Sequence, residues 1–222
     1  MNLPAQLFPG DWLWLANFVF GFFLYRAVRQ APWRTLLDNG VMVNALVALL
    51  FGAFMLWQLN AGFRPGFNFH ILGSTLFMLM FGWPIAGVAI TLVMLATWLR
   101  ADLGFLSFGL NGLLMIALPV LFGDWLLRLS KRHLPKNLFL FVLWNGFFCG
   151  ALSIVLNVLA TTLLLLLLSR YTWAQIQYHY LVATPIIMIT EAFTTGMLIT
   201  AFTVFQPQAV MNFSDEEYLA GK

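Results

Sequence analysis

The sequence predicts an all-α, polytopic membrane protein, a helical bundle with about seven transmembrane helices. Three observations carry this. The chain is 62% hydrophobic and 9% charged, whereas a soluble domain has roughly 45–50% apolar and about 25% charged residues. Mean hydropathy is +0.89. The apolar runs are continuous, as in spanning helices, and lack the alternation of a transmembrane β-barrel. The 222 residues accommodate about seven spans of about 20 residues with short loops.

The same composition narrows function. In this class the net charge of +3 reports loop topology and not nucleic-acid binding. The chain carries no Walker A, HExxH, GxSxG or CxxC motif. It offers no nucleophile beside an evident base, so it is not read as an enzyme. No basic, cleavable signal segment is expected at the start. Cys149 is the one cysteine and lies in an apolar run.

Pro4 and Pro9 oppose helix in the first ten residues, and Asp11 is expected to cap a first span over 12–27. Trp12, Trp14 and Tyr25 suit an aromatic belt near its ends. The second span, about 41–59, has Ala48 and Gly52 in small-xxx-small spacing, which predicts close helix contact. Residues 60–67 carry turn chemistry. A short third segment, 70–82, opens at His70. Pro84 suits the first turn of a fourth span over 84–99. A glycine-marked turn leads to the fifth span, about 106–127, and a basic cluster follows it. The sixth run, 138–168, contains a GxxxG motif at Gly146 and Gly150. The seventh covers 181–205. Residues 1–205 are thus one transmembrane domain, and 206–222 a polar, acidic cytoplasmic tail expected to be mobile.

With the N-terminus outside, the inner loops hold eight Lys and Arg against three outside. The positive-inside rule then puts the C-terminus in the cytoplasm of a multi-pass protein of a bacterial inner membrane. This topology gathers His70, Asp102, Asn111 and His179 at the outer ends of the spans, with Glu191 deeper.

Glu191 is the only acid well inside a predicted span. Such a carboxylate must face the bundle interior. It reads either as an ion or proton site or as a structural acceptor, including for loop backbone N–H groups. His70 reads as a metal ligand or an interfacial residue, with Ser74 one turn on. Asp102 reads as a ligand or a loop acid beside Arg100. Asn111 must find amide partners inside an apolar span. His179 reads as a ligand or as part of an aromatic belt. Thr194 and Thr195 follow Glu191 on one helix face.

A resemblance appears in residues 67–115. His70 opens a helix; Gly73, then Phe81-Gly82-Trp83-Pro84, then Gly104 and Gly109-Leu110-Asn111 follow. Glu191 with Thr195-Gly196 recurs in the last span. This pattern resembles the substrate-binding membrane components of cobalt/nickel energy-coupling-factor transporters, the CbiM/NikM group. The resemblance implies a seven-helix bundle with its N-terminus outside. It also implies a square-planar nitrogen site built from the N-terminal amine, a histidine at position two and the histidine matched by His70. Here position two is Asn2, and the family's histidine in the turn before the fifth helix is replaced near Asp102, so a divergent member is implied.

The resulting expectation is a substrate-capture component that binds a transition-metal cation from the outer side. His70, Asp102, Glu191 and His179 are its candidate metal ligands, supported by Asn111, Ser74 and Thr195. Its partners would be the lipid bilayer, a transmembrane coupling protein and ATPase subunits. Two alternatives stand: a membrane protein holding haem between His70 and His179, and a structural or assembly subunit.

Overall fold

The computed structural model describes residues 3–58, 61–62, 68–69, 71–99, 104–169 and 171–219. Its long helices are α1 (Gly10–Gln30), α2 (Gly40–Gln58), α3 (Ser74–Trp98), α4 (Phe105–His133), α5 (Leu138–Leu168) and α6 (Trp173–Phe205). The last five are long and apolar enough to cross a membrane. α1 has 21 residues, enough to rise about 30 Å, but carries Asp11, Arg26 and Arg29. Between α2 and α3, Ala61–Gly62 pairs antiparallel with Asn68–Phe69. α3 and α4 supply most of the buried centre: 72% of the apolar stretch of α3 is inaccessible, against 22% for α2.

α3 is broken at Gly82, where φ is 76° and ψ is 161°, a region essentially restricted to glycine. Ser74 reaches Met115, and Met78 lies against Gly123. Residues 74–81 therefore run in the sense of α4. Trp98 packs edge-on to Phe108 near the start of α4. At the other end, Trp83 and Gly87 meet Phe23 of α1, while Asn17 and Phe20 of α1 meet Gly109 and Gly112. Residues 83–98 therefore run the opposite way, and the third and fourth predicted segments are two arms of one element, with Pro84 in the first turn of the second arm.

The break leaves carbonyls at the end of the first arm without helical partners. The segment after α6 supplies donors. The Met211 N–H donates to the Met80 carbonyl (2.7 Å), and Asn212 Nδ2 to the carbonyls of Met78 (2.9 Å) and Leu79 (3.1 Å). Ala209, Val210 and Phe213 are buried. Phe141, Phe213 and Tyr218 form an aromatic cluster with centroids 5.0–5.3 Å apart. Residues 206–219 thus fold back onto the bundle and do not trail free from it, because they carry apolar side chains between their polar ones.

Small residues set the α5–α6 crossing. A Cβ on Gly146 would lie 2.7 Å from Ile199, and one on Gly150 would lie 3.4 Å from Ala192 and Thr195. The GxxxG motif is therefore a helix contact, as expected. Ala48 and Gly52 are not: Ala48 is exposed, and a Cβ on Gly52 would meet nothing within 4 Å. Their spacing faces outward from the chain. Asp11 also departs from expectation. α1 starts at Gly10 after an extended Pro9, so Asp11 lies in the first turn, where its charge favours the helix dipole, and it does not cap.

Candidate functional site

Buried side chains of α4 and α6 anchor residue 3 and the start of α3. Glu191, on α6 and 1% exposed, supplies the cap that α3 lacks. Gly73 precedes the helix in a left-handed conformation (φ 69°) and offers no side-chain acceptor of its own. Glu191 Oε2 accepts the Leu72 N–H and Oε1 accepts the Gly73 N–H, both at 2.8 Å. A carboxylate there meets free N–H groups and the positive end of the helix dipole. The Leu72 carbonyl in turn accepts the Trp57 indole N–H of α2 at 3.3 Å. Both backbone polar groups of Leu72 are therefore held.

α4 provides a second anchor. Asn111, fully buried, clamps Leu3 in both directions. Its Oδ1 accepts the Leu3 N–H (2.8 Å), and its Nδ2 donates to the carbonyls of Leu3 (2.9 Å) and Ser107 (2.8 Å). Four residues on, the Met115 carbonyl accepts the Ser74 hydroxyl at 2.8 Å. That carbonyl is reachable because Leu113–Ala117 is wound as a π-helix, which loosens the ordinary ladder. Asn157 of α5 donates to the neighbouring Leu114 carbonyl at 2.5 Å. Thr75 donates to Ser153 on the same helix at 2.9 Å. Asn111 and Met115 lie about 6 Å apart along the helix axis. Residue 3 and the start of α3 are therefore brought to one stretch of α4.

The sequence-expected residues fare differently. Glu191, Ser74 and Asn111 belong to this scaffold, each bonded to backbone. Thr195 is buried against Gly150 of α5, and its hydroxyl has no hydrogen-bond partner among the described residues. His179 is partly buried, edge-on to Tyr178 at 5.0 Å. Among the described residues no group of three His, Cys, Asp or Glu gathers to hold a metal, so His179 and Glu191 are not joined in such a set. His70 and Asp102 lie outside the described residues.

Three participants were not singled out from sequence: Asn157, Trp57 and Asn17. Asn17 binds α1 to the start of α4, accepting the Gly109 N–H at 3.0 Å and donating to the Leu106 carbonyl at 2.6 Å. For Asn17 and Asn157 the signal was the one that marked Asn111, an amide inside an apolar run that must find partners.

These features define a multi-pass membrane protein whose buried polar groups organise the start of the chain and the start of a broken central helix. Residues 2–209 match the family of the cobalt uptake substrate-specific transmembrane region, CbiM. The chain belongs to that family. Two crystal structures have a similar fold. One, described as a transition metal transporter, is 24% identical with a TM-score of 0.67 and covers 90% of this chain and 91% of its own. The other, a truncated transition metal transporter, is 23% identical with a TM-score of 0.67 and covers 90% and 97%. No curated protein matches.

Proposed function

We propose that this protein captures a divalent transition-metal cation, cobalt or nickel by the class of its family, and passes it across the membrane as the substrate-binding part of an energy-coupling-factor transporter. The observation that carries this reading is the pair of tethers on α4. Asn111 holds Leu3, and the Met115 carbonyl holds Ser74. Residues 1–2 and His70 each lie within four residues of a tethered point. Glu191 fixes the turn between His70 and Ser74 through the Leu72 and Gly73 N–H groups.

In this reading His70 is a nitrogen ligand, and Asp102 and His179 complete or rim the site. Glu191 serves chiefly to position the turn. Its oxygens keep lone pairs beyond the two hydrogen bonds. Asn2, in place of an imidazole, offers an amide oxygen, a harder donor that weakens preference for nickel.

The chain crosses the membrane seven times, counting the two arms of α3 separately, with its start outside and 206–222 in the cytoplasm. The charge asymmetry of the loops supports this. A transmembrane coupling protein and ATPase subunits supply the energy, since the chain has no Walker A motif.

The test is elemental analysis with a visible absorption spectrum on detergent-purified protein after exposure to Co(II) or Ni(II), wild type beside His70→Ala. One cation per chain, lost in the variant, supports the site. No retained metal in the wild type, or equal retention in both, rejects it. A haem band would replace the proposal with a cofactor-holding role.

A further inference from the structure

A groove of about 530 Å³ runs between α1, the second arm of α3 and α4. Neither Glu191 nor Asn111 lines it. Val19 and Phe22 line it from α1, Leu113 and Leu121 from α4, and Trp83 from α3. Arg26 and Gln30 of α1 and Arg128 of α4 also line it. The apolar residues precede the basic ones on both helices, so the charge is confined to one end. From Val19 to Gln30 is about 16 Å of helix and from Leu113 to Arg128 about 22 Å. One leaflet of the hydrocarbon core is about 15 Å deep. The groove therefore has about the length of a leaflet, with its guanidinium groups at one end.

The charges at that end are not internally neutralised. Arg128 pairs with Asp124, yet its side chain is 70% exposed. Arg26 hydrogen-bonds the Gln30 amide oxygen at 2.9 and 2.7 Å when that amide is turned to satisfy both groups. It meets no carboxylate among the described residues. Two cations and one anion leave a positive end on an apolar trough.

We infer that this groove is a binding site for an anionic phospholipid, with an acyl chain along Val19, Phe22, Leu113 and Leu121 and the phosphate between Arg26 and Arg128. Guanidinium groups suit it because their planar forks donate bidentately to phosphate oxygens. A neutral apolar trough would take any lipid. The basic end selects the charge. The inference does not depend on the cation site and stands or falls separately from it.

The experiment is quantification of phospholipid retained by detergent-purified protein, with the thermal shift on adding phosphatidylglycerol or phosphatidylcholine in mixed micelles. Wild type is expected to retain anionic lipid and to be stabilised by phosphatidylglycerol alone. The double variant Arg26→Gln/Arg128→Gln should retain it about 30-fold less tightly, at about fivefold per cation near the membrane surface. Leu121→Trp, which fills the trough and leaves both charges, should also lose it. Equal effects of the two lipids, or full retention in both variants, would overturn the proposal. So would an equal shift from inorganic phosphate, which would make the site a phosphate site only. Protection of the groove only in the presence of a coupling protein would assign it to that partner instead.

Discussion

Glu191 caps a helix that begins 117 residues before it in the chain: its Oε1 accepts the Gly73 N–H at 2.8 Å, and its Oε2 the Leu72 N–H at the same distance. An acid buried in an apolar span is thereby explained by two backbone donors with no other acceptor among the described residues. Glu191→Ala should leave both donors unsatisfied, at about 1–3 kcal/mol each. Glu191→Gln should cost less, because one N–H keeps its oxygen while the other faces an amide NH2. Thermal unfolding of purified protein should rank wild type above Gln and Gln above Ala. Equal midpoints would show that the cap does not stabilise.

Gly82 should tolerate no side chain. Its mirror-extended conformation turns the chain between the two arms of α3, and a residue with a Cβ there costs about 1–3 kcal/mol. Gly109→Ala should be as damaging for a different reason. Its Cβ would sit 2.4 Å from the Asn17 Cα and 2.7 Å from the Asn17 N, and backbone cannot swing aside as a flexible side chain does. Gly52→Ala, where a Cβ meets nothing within 4 Å, is the control and should be neutral or slightly stabilising. Urea or thermal midpoints of the three variants test this ordering.

The membrane class, the 138–168 run and the Gly146–Gly150 contact were legible because each rests on local composition or spacing. Asn111 was legible as a group in need of partners, but its partner, the Leu3 backbone 108 positions away, was not. Glu191 shows the same limit. Sequence marks a costly carboxylate, yet both readings of it, ion site or backbone acceptor, predict the same letter. The π-wound stretches of α4 and α5 left no sequence signal. The start of α6, Trp173–His179, could have been found, since Thr172 and Gln175 form a capping box. Ala48 and Gly52 misled because small residues pack only where a neighbouring helix is present.

Removing the amide of Asn212 should loosen the docked tail. Asn212→Ala uncovers the carbonyls of Met78 and Leu79 and should lower the melting midpoint. Lys136→Ala should change it little, because the Lys136 side chain in its 3.0 Å pair with Glu217 is 55% exposed. Burial, with Glu217 alongside, raises the Tyr218 phenol from its ordinary value of 10.0 to about 12. The folded state thus keeps a proton that the unfolded chain loses first. The contribution of Tyr218 is complete below pH 10 and lost as pH rises toward 12. Protease protection of the tail followed across that range should fall with rising pH, whereas a flat profile would show that the phenol is not held by the cluster.

The proposal that the start of the chain contributes to a cation site rests on Asn111, which holds Leu3 in both directions. The measurement that tests it most directly is calorimetric titration of Ni(II) or Co(II) into wild type, Asn111→Ala and Lys136→Ala, each verified as monodisperse and helical. Asn111→Ala should bind at least about tenfold more weakly, the equivalent of about 1.4 kcal/mol, while Lys136→Ala binds as wild type. A folded Asn111→Ala protein with unchanged affinity would contradict the account, because the cation would then be held without the tethered N-terminal segment.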